Sequence, residues 1–334
     1  MERLYPLQFR VNLQEKVWGG QRLKPLKGLQ ADDTPMGESW EVSAVEGKES
    51  IVSNGALQGQ TLSQLTRNYG PLLLGKKVSL MYGDQFPLLL KLIDARDDLS
   101  IQVHPNDHLA QTRHGSLGKT EMWFVMEADQ GAHLYSGFKS QISKYEYSKR
   151  VEDGSIMDVL MRHEVKPGDV FFIPAGRVHA ICGGIMVAEI QQSSDVTYRI
   201  YDYNRPGLDG KLRELHTELA EDAIDYKVYS SYLTNYIERV NKPVLLTECP
   251  YFTVKIHNVT RAFHRKLFKY DSFIIYLCLE GECTIRPVSD PGTAVSLRRG
   301  GVCLIPACDA DLYLVPNDAT AKILEVFIDN KHFN

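Results

Sequence analysis

Two stretches of this chain repeat one pattern at one spacing: Lys166-Pro-Gly-Asp-Val-Phe-Phe-Ile-Pro-Ala-Gly-Arg-Val-His179 and Arg298-Arg-Gly-Gly-Val-Cys-Leu-Ile-Pro-Ala-Cys-Asp-Ala-Asp311. Each joins a glycine turn to a short apolar strand and stops it at an Ile-Pro-Ala turn. Proline ends a strand because it lacks the N–H that a ladder needs. A four-residue strand bounded in this way buries its side chains only against other strands, so the repeat predicts two β units built alike. The copies differ at their last position, where His179 faces Asp311.

Further runs rich in β-branched and aromatic residues read as strands: Phe86 to Ile93, Ser272 to Leu279 and Ala321 to Ile328. Short strands separated by Gly and Pro indicate a sandwich or barrel. Helical patches are expected at Thr61–Tyr69, Lys139–Arg150, Ser155–Arg162 and Glu214–Ala223. A length of 334 residues predicts about two domains. The polar stretch ending at Asn241-Lys-Pro243 is read as their connector, giving a larger domain over 1–240 and a smaller one over 241–334.

A net charge of -4 argues against non-specific nucleic-acid binding, which needs a basic face. No apolar run reaches the length of a membrane span, and Met-Glu-Arg-Leu-Tyr at the start lacks a signal-peptide core. The six cysteines form no Cys-x-x-Cys pair and are expected as buried free thiols in a reducing cytoplasm.

The chemistry gathers in three segments. Gln102 and His104 lie in Ser100-Ile-Gln-Val-His-Pro105, Glu121 ends Gly118-Lys-Thr-Glu121, and His179 ends the first repeat. Two imidazoles, a carboxylate and an amide oxygen suit one borderline divalent ion, zinc first. Residues two apart on a strand share a face, which would bring Gln102 and His104 together. Taken singly, each residue has a plainer account: a satisfied core histidine, a solvated glutamate at a strand end. His108 and His114 are read as loop residues, His216 as structural, and Trp18, Trp40 and Tyr198 as core or cavity lining.

The segment from Gly168 to His179 resembles the second motif of the cupin superfamily, which hosts many chemistries. A narrower resemblance joins Ser100 to Asn106, Gly118 to Glu121, Pro174 to His179 and Ser194-Asp-Val-Thr-Tyr-Arg199. Together these are similar to type I mannose-6-phosphate isomerases. Lys16-Val-Trp-Gly-Gly20, Gly37-Glu-Ser-Trp-Glu41, Phe86-Pro-Leu-Leu-Leu-Lys91 and Gly210-Lys-Leu-Arg-Glu-Leu-His216 fit the shorter, bacterial form. The resemblance implies a mainly β fold of two cupin-type jelly-roll barrels with helical insertions, the second barrel degenerate and without metal. It places the zinc ligands, one ion per chain, on Gln102, His104, Glu121 and His179. Arg199 falls on the family's active-site arginine, and Ser100 and Lys119 on positions at the substrate phosphate or in proton transfer.

The implied reaction interconverts mannose 6-phosphate and fructose 6-phosphate through a cis-enediol. Its proton-transfer base stays open among Glu189, Lys119 and a metal-bound water. A phosphorylated sugar is the only partner implied for a cytoplasmic monomer or homodimer. Two other readings remain at this point: an iron oxygenase, whose facial triad is also two His and one carboxylate, and a non-catalytic sugar-phosphate-binding protein.

Overall fold

The apolar runs become strands whose ladders repeat. The computed structural model describes residues 2–309, 311–329 and 331. In the first part of the chain the strands are Leu13–Gly20 (β1), Met36–Val42 (β2), Leu88–Ala95 (β3), Ile101–Val103 (β4), Glu121–Ala128 (β5), His133–Phe138 (β6), Leu160–Glu164 (β7), Val170–Ile173 (β8), His179–Ile181 (β9), Ile185–Gln192 (β10) and Tyr198–Tyr201 (β11). They form two sheets, ordered β1-β2-β3-β10-β5-β8 and β11-β4-β9-β6-β7.

The later strands are Val244–Glu248 (β12), Thr253–Val259 (β13), Phe263–Lys266 (β14), Ile274–Glu280 (β15), Glu282–Pro287 (β16), Val295–Arg298 (β17), Val302–Ile305 (β18), Asp311–Pro316 (β19) and Ala321–Phe327 (β20). Their sheets run β12-β13-β20-β15-β18 and β14-β19-β16-β17. The mainly β expectation holds, and the ladders pair antiparallel.

The repeat extends to register. Order β3-β10-β5-β8 corresponds to β13-β20-β15-β18, and β4-β9-β6-β7 to β14-β19-β16-β17. Glu121 opposite Ile173 and Trp123 opposite Phe171 match Ile274 opposite Ile305 and Tyr276 opposite Cys303. Gln102 opposite His179 matches Lys266 opposite Asp311. A one-residue slip would turn every apolar side chain out of the core, so burial of one face holds this register.

Two compact units divide the chain: Leu13–Ser39 with Leu90–Thr234, and Met1–Asn12 with Trp40–Leu89 and Asn235–Asn334. Trp123, Phe171, Leu134, Ile181 and Val187 fill the core of the first, and Tyr276, Leu297, Ile305, Leu314 and Phe327 that of the second. Each fully buried side chain of this size contributes about 1.5–3 kcal/mol.

Helix limits follow caps and neighbours. Leu62–Tyr69 is the expected helix, started by a capping box between Thr61 and Gln64. The second begins only at Lys144, where Ser143 accepts from Glu146 N. Ser155–Arg162 is not a helix: one 3-10 turn at Ile156–Val159 gives way to β7, because Leu160 joins the ladder opposite Phe138. In Glu214–Ala223 the helix starts at Thr217, since His216 N donates to Arg199 O at 2.7 Å and ties the preceding residues to β11. His108 and His114 lie on a helix, Asp107–His114, rather than in a loop; Asn106 caps it by accepting from Leu109 N at 3.0 Å. Among the described residues no helix is long and apolar enough to cross a membrane.

Candidate metal centre

Strand register brings the candidate ligands together. Gln102 on β4 faces His179 on β9 and, on its other side, Arg199 on β11. Directly opposed residues in a ladder point to the same face, so Arg199, Gln102 and His179 form one row across this sheet. Glu121 opens β5 in the other sheet. His104 lies one residue beyond β4, after Val103. His104, Glu121 and His179 are fully buried, with one ligand atom from each lying within 4.8 Å of the others.

Their surroundings leave lone pairs aimed inward. His104 Nδ1 lies 3.1 Å from Val196 O, and His179 Nδ1 lies 2.8 Å from Arg177 O. A carbonyl only accepts, so each Nδ1 carries the proton and each Nε2 presents its lone pair to the cluster. Burial, and for His104 also the charge of Lys119, pushes these imidazoles down to about 3 for His104 and about 4 for His179. Both are therefore neutral near pH 7, with no proton to release before binding a cation.

Burial acts to raise the Glu121 carboxyl, but the charge of Lys119 holds it well below the usual range. Glu121 Oε2 and His179 Nε2 have no hydrogen-bond partner. Lys119 Nζ approaches Glu121 Oε1 at 2.6 Å and His104 Nε2 at 3.0 Å. An ammonium drawn among these acceptors, together with buried atoms left unpaired, indicates a cluster arranged for positive charge. Two nitrogen donors and a carboxylate fit a divalent metal.

The cluster adjoins a cavity of about 230 Å³ lined by Ser100, Gln102, Lys119, Glu189 and Arg199 among others. Glu189 Oε2 accepts from Trp123 Nε1 at 3.0 Å, and Oε1 lies 3.4 Å from Lys91 Nζ. Burial and the charge of Glu121 raise the Glu189 carboxyl. Arg199 donates from Nη1 to Glu214 O at 2.8 Å, while its Nε has no partner. His216 Nδ1 accepts from Arg199 N at 3.3 Å. A larger cavity of about 560 Å³, in the other unit, is lined by Arg3, Tyr5, Asn54 and Asp290. It adjoins no comparable cluster among the described residues.

Several lining residues lie in the motifs quoted from the sequence but were given no role there: Lys16, Glu38, Lys91, Asp195 and Arg213. Lys91 had a visible signal, being a charged residue inside an apolar strand, a place lysine occupies only when paired. It is buried and raised: burial lowers it, but Glu38, Glu189 and Asp195 prevail. Trp18 lines the cavity, whereas Trp40 and Tyr198 belong to the core.

The other copy of the repeat has Ile274, Asp311 and Lys266 where this one has Glu121, His179 and Gln102. It does retain the buried glutamate. Glu325 faces Tyr276 as Glu189 faces Trp123, and Tyr276 donates to it at 2.8 Å.

Comparison with known proteins assigns the family. The profile described as phosphomannose isomerase type I, catalytic domain, matches residues 5–125. The mannose-6-phosphate isomerase ManA of Bacillus subtilis (strain 168) is 38% identical over 280 residues, covering 83% of this chain and 86% of that protein. The mannose-6-phosphate isomerase of Streptococcus mutans serotype c is 37% identical over 250 residues, 75% of this chain and 77% of that protein. A crystal structure of the mannose 6-phosphate isomerase from Bacillus subtilis aligns with a TM-score of 0.86 at 30% identity, over 97% of this chain and 99% of that one. Relatives this similar over this much of the chain, sharing the fold that assembles the cluster, show that the chain belongs to the type I phosphomannose isomerase family.

Proposed function

We propose that this chain interconverts mannose 6-phosphate and fructose 6-phosphate with the help of one zinc ion. The observation that carries the reading is the buried His104–Glu121–His179 cluster beside a cavity lined by Lys119, Glu189 and Arg199. His104, Glu121 and His179 would hold the ion, with Gln102 as the fourth ligand from its place opposite His179. A zinc ion held there would supply Lewis-acid polarisation of the sugar carbonyl. Kinship with isomerases leaves the oxygenase and non-catalytic readings without support.

The chain's own groups do the rest. The reaction takes a proton from C2 of the aldose and returns one to C1, with the hydroxyl hydrogens redistributed between O1 and O2. Glu189 is the proposed proton carrier, because its raised carboxyl lines the cavity and Trp123 fixes its orientation. Acid–base groups work best with a pKa near the operating pH. Arg199 and Lys119 provide the charge a sugar phosphate needs, with Ser100 as a hydroxyl donor. Replacement of Glu189 by Gln is expected to lower kcat by roughly 100-fold or more with metal content intact. Turnover within threefold of the parent would remove Glu189 from proton transfer.

The second β unit, lacking the ligand set, is proposed to support the first rather than bind metal. The enzyme is proposed to act in the cytoplasm as a monomer or homodimer. The deciding experiment is isomerisation of mannose 6-phosphate before and after chelation. Activity is expected to vanish on chelation and return with zinc. Full activity in verified metal-free protein would overturn the metal's role, and no activity in zinc-replete protein would overturn the reaction.

A further inference from the structure

The segment between β11 and the helix at Thr217 carries a second arginine into the cavity, and the reading of Arg199 alone does not account for it. Its backbone is set by its own contacts. Tyr203 and Asn204 adopt positive φ of 56° and 51°, a conformation non-glycine residues adopt rarely. Pro206 bridges to Leu212, and Gly207 N donates to Lys211 O at 2.7 Å. This closed turn ends at Arg213, which lines the same cavity as Arg199, Lys119 and Gln102.

Arg213 is held from behind. Its Nε and Nη2 grip the two oxygens of buried Asp202 at 2.6 and 2.5 Å. This side-on fork leaves Nη1, which makes no further hydrogen bond among the described residues. Asp202 also takes Arg205 Nη2 at 3.0 Å, so one carboxylate serves two guanidiniums. Arg199 has no carboxylate at ion-pair distance among the described residues; its Nη1 goes to a carbonyl and its Nε to nothing. The other cavity cations are matched: Lys16 with Glu38 at 3.2 Å, Lys91 with Glu189 at 3.4 Å, Lys119 with Glu121 at 2.6 Å. Arg199 and Arg213 thus stand at one end of the cavity with a single carboxylate, Asp202, in a hydrogen-bonded ion pair with either of them among the described residues. Burial first, and then the charge of Arg213, lowers the pKa of Arg199, so the two cations sense each other. Two like charges held together in a cavity wall lower their repulsion most by taking a dianion between them.

We propose that Arg213 is a substrate-binding residue that grips the phosphate of the sugar phosphate together with Arg199, and that Asp202 is the residue that positions it. The inference rests on the sugar-phosphate isomerase reading and adds a specificity element to it. Arg213 separates a phosphorylated sugar from a neutral one, since only a dianion repays the desolvation of both guanidiniums.

The test compares Arg213→Gln, Arg213→Lys and Asp202→Asn with the parent in the zinc-replete full chain. Readouts are kcat and KM for mannose 6-phosphate, the Kd for inorganic phosphate by calorimetry, metal content and melting temperature. In Arg213→Gln, KM and the phosphate Kd are expected to rise about 10- to 100-fold, the scale of a lost charge-assisted hydrogen-bond pair. Its kcat should fall by less than KM rises, with metal content unchanged. Lysine should recover part of the loss, and Asp202→Asn should give an intermediate rise by freeing the guanidinium. KM and phosphate Kd within twofold of the parent in Arg213→Gln would overturn the proposal and leave Arg213 a brace of the loop. If that variant does not fold, the lysine and asparagine variants decide on the same two readouts. Were the parent itself unable to isomerise mannose 6-phosphate, the functional reading would fail, while the phosphate titrations would still decide the role of Arg213.

Discussion

Replacing His179 with alanine is expected to remove bound metal and isomerase activity together. The imidazole is fully buried, its Nδ1 is committed to Arg177 O at 2.8 Å, and Trp123 packs edge-on against it with ring centroids 5.2 Å apart. The ring thus has one orientation, and its remaining nitrogen is unpaired inside the cluster. Loss of a residue that only supports a ligand typically costs 10- to 100-fold in metal affinity, and loss of the ligand itself costs more. We expect substoichiometric metal after gel filtration and activity at least about 100-fold down. Asp311→Ala changes the corresponding position of the second repeat and should leave the metal content at its parental value. Stoichiometric metal in the folded His179→Ala protein would sink the ligand assignment.

The second large effect lies away from the cavity, in the other unit. Glu325 is fully buried and receives Arg265 Nε at 2.9 Å, Arg265 Nη2 at 2.5 Å and Tyr276 OH at 2.8 Å, with His257 Nε2 at 3.3 Å. Removing the guanidinium leaves a buried carboxylate with only the Tyr276 hydroxyl and His257 beside it. Arg265→Ala is therefore expected to lower stability by about 3–5 kcal/mol. Arg265→Met with Glu325→Leu, which removes both charges, should recover much of that loss.

The sign of the pH dependence follows from Glu325. Burial acts to raise its carboxyl, but His257 and Arg265 hold it well below the ordinary range. A depressed carboxyl stabilises fully above its unfolded pKa of about 4.3 and progressively less as pH falls below that value toward the folded one. The gap between parent and Arg265→Ala should therefore narrow in acid. Urea unfolding at pH 7 and at pH 4 measures both effects. A loss below about 1 kcal/mol at pH 7 would show that the buried pair contributes little.

The two glutamates explain why one was legible and the other was not. Glu189 drew attention through its place near a recognisable motif. Glu325 sits in an apolar run, Ala321 to Ile328, that reads simply as a strand. Only register shows that both occupy the same position, each opposite an aromatic donor. In one unit burial and the neighbouring Glu121 raise the carboxyl, and in the other His257 and Arg265 overcome burial and lower it.

Local chemistry determined the rest of what could be read. Glycine and proline punctuation marked the repeat, β-branched runs marked the strands, and the ligand types at strand ends marked the cluster, because each signal lies within a few residues. Helix limits near β7 and β11 escaped because pairing with a distant strand overrode local preference. Lys91, Trp123 and Arg213 escaped for the same reason: their partners Glu189 and Asp202 reach them through ladders or a closed turn. The residue types of the candidate cluster were thus written in the chain, while their distances and charges arose only where non-local register placed buried groups within a few ångströms of one another.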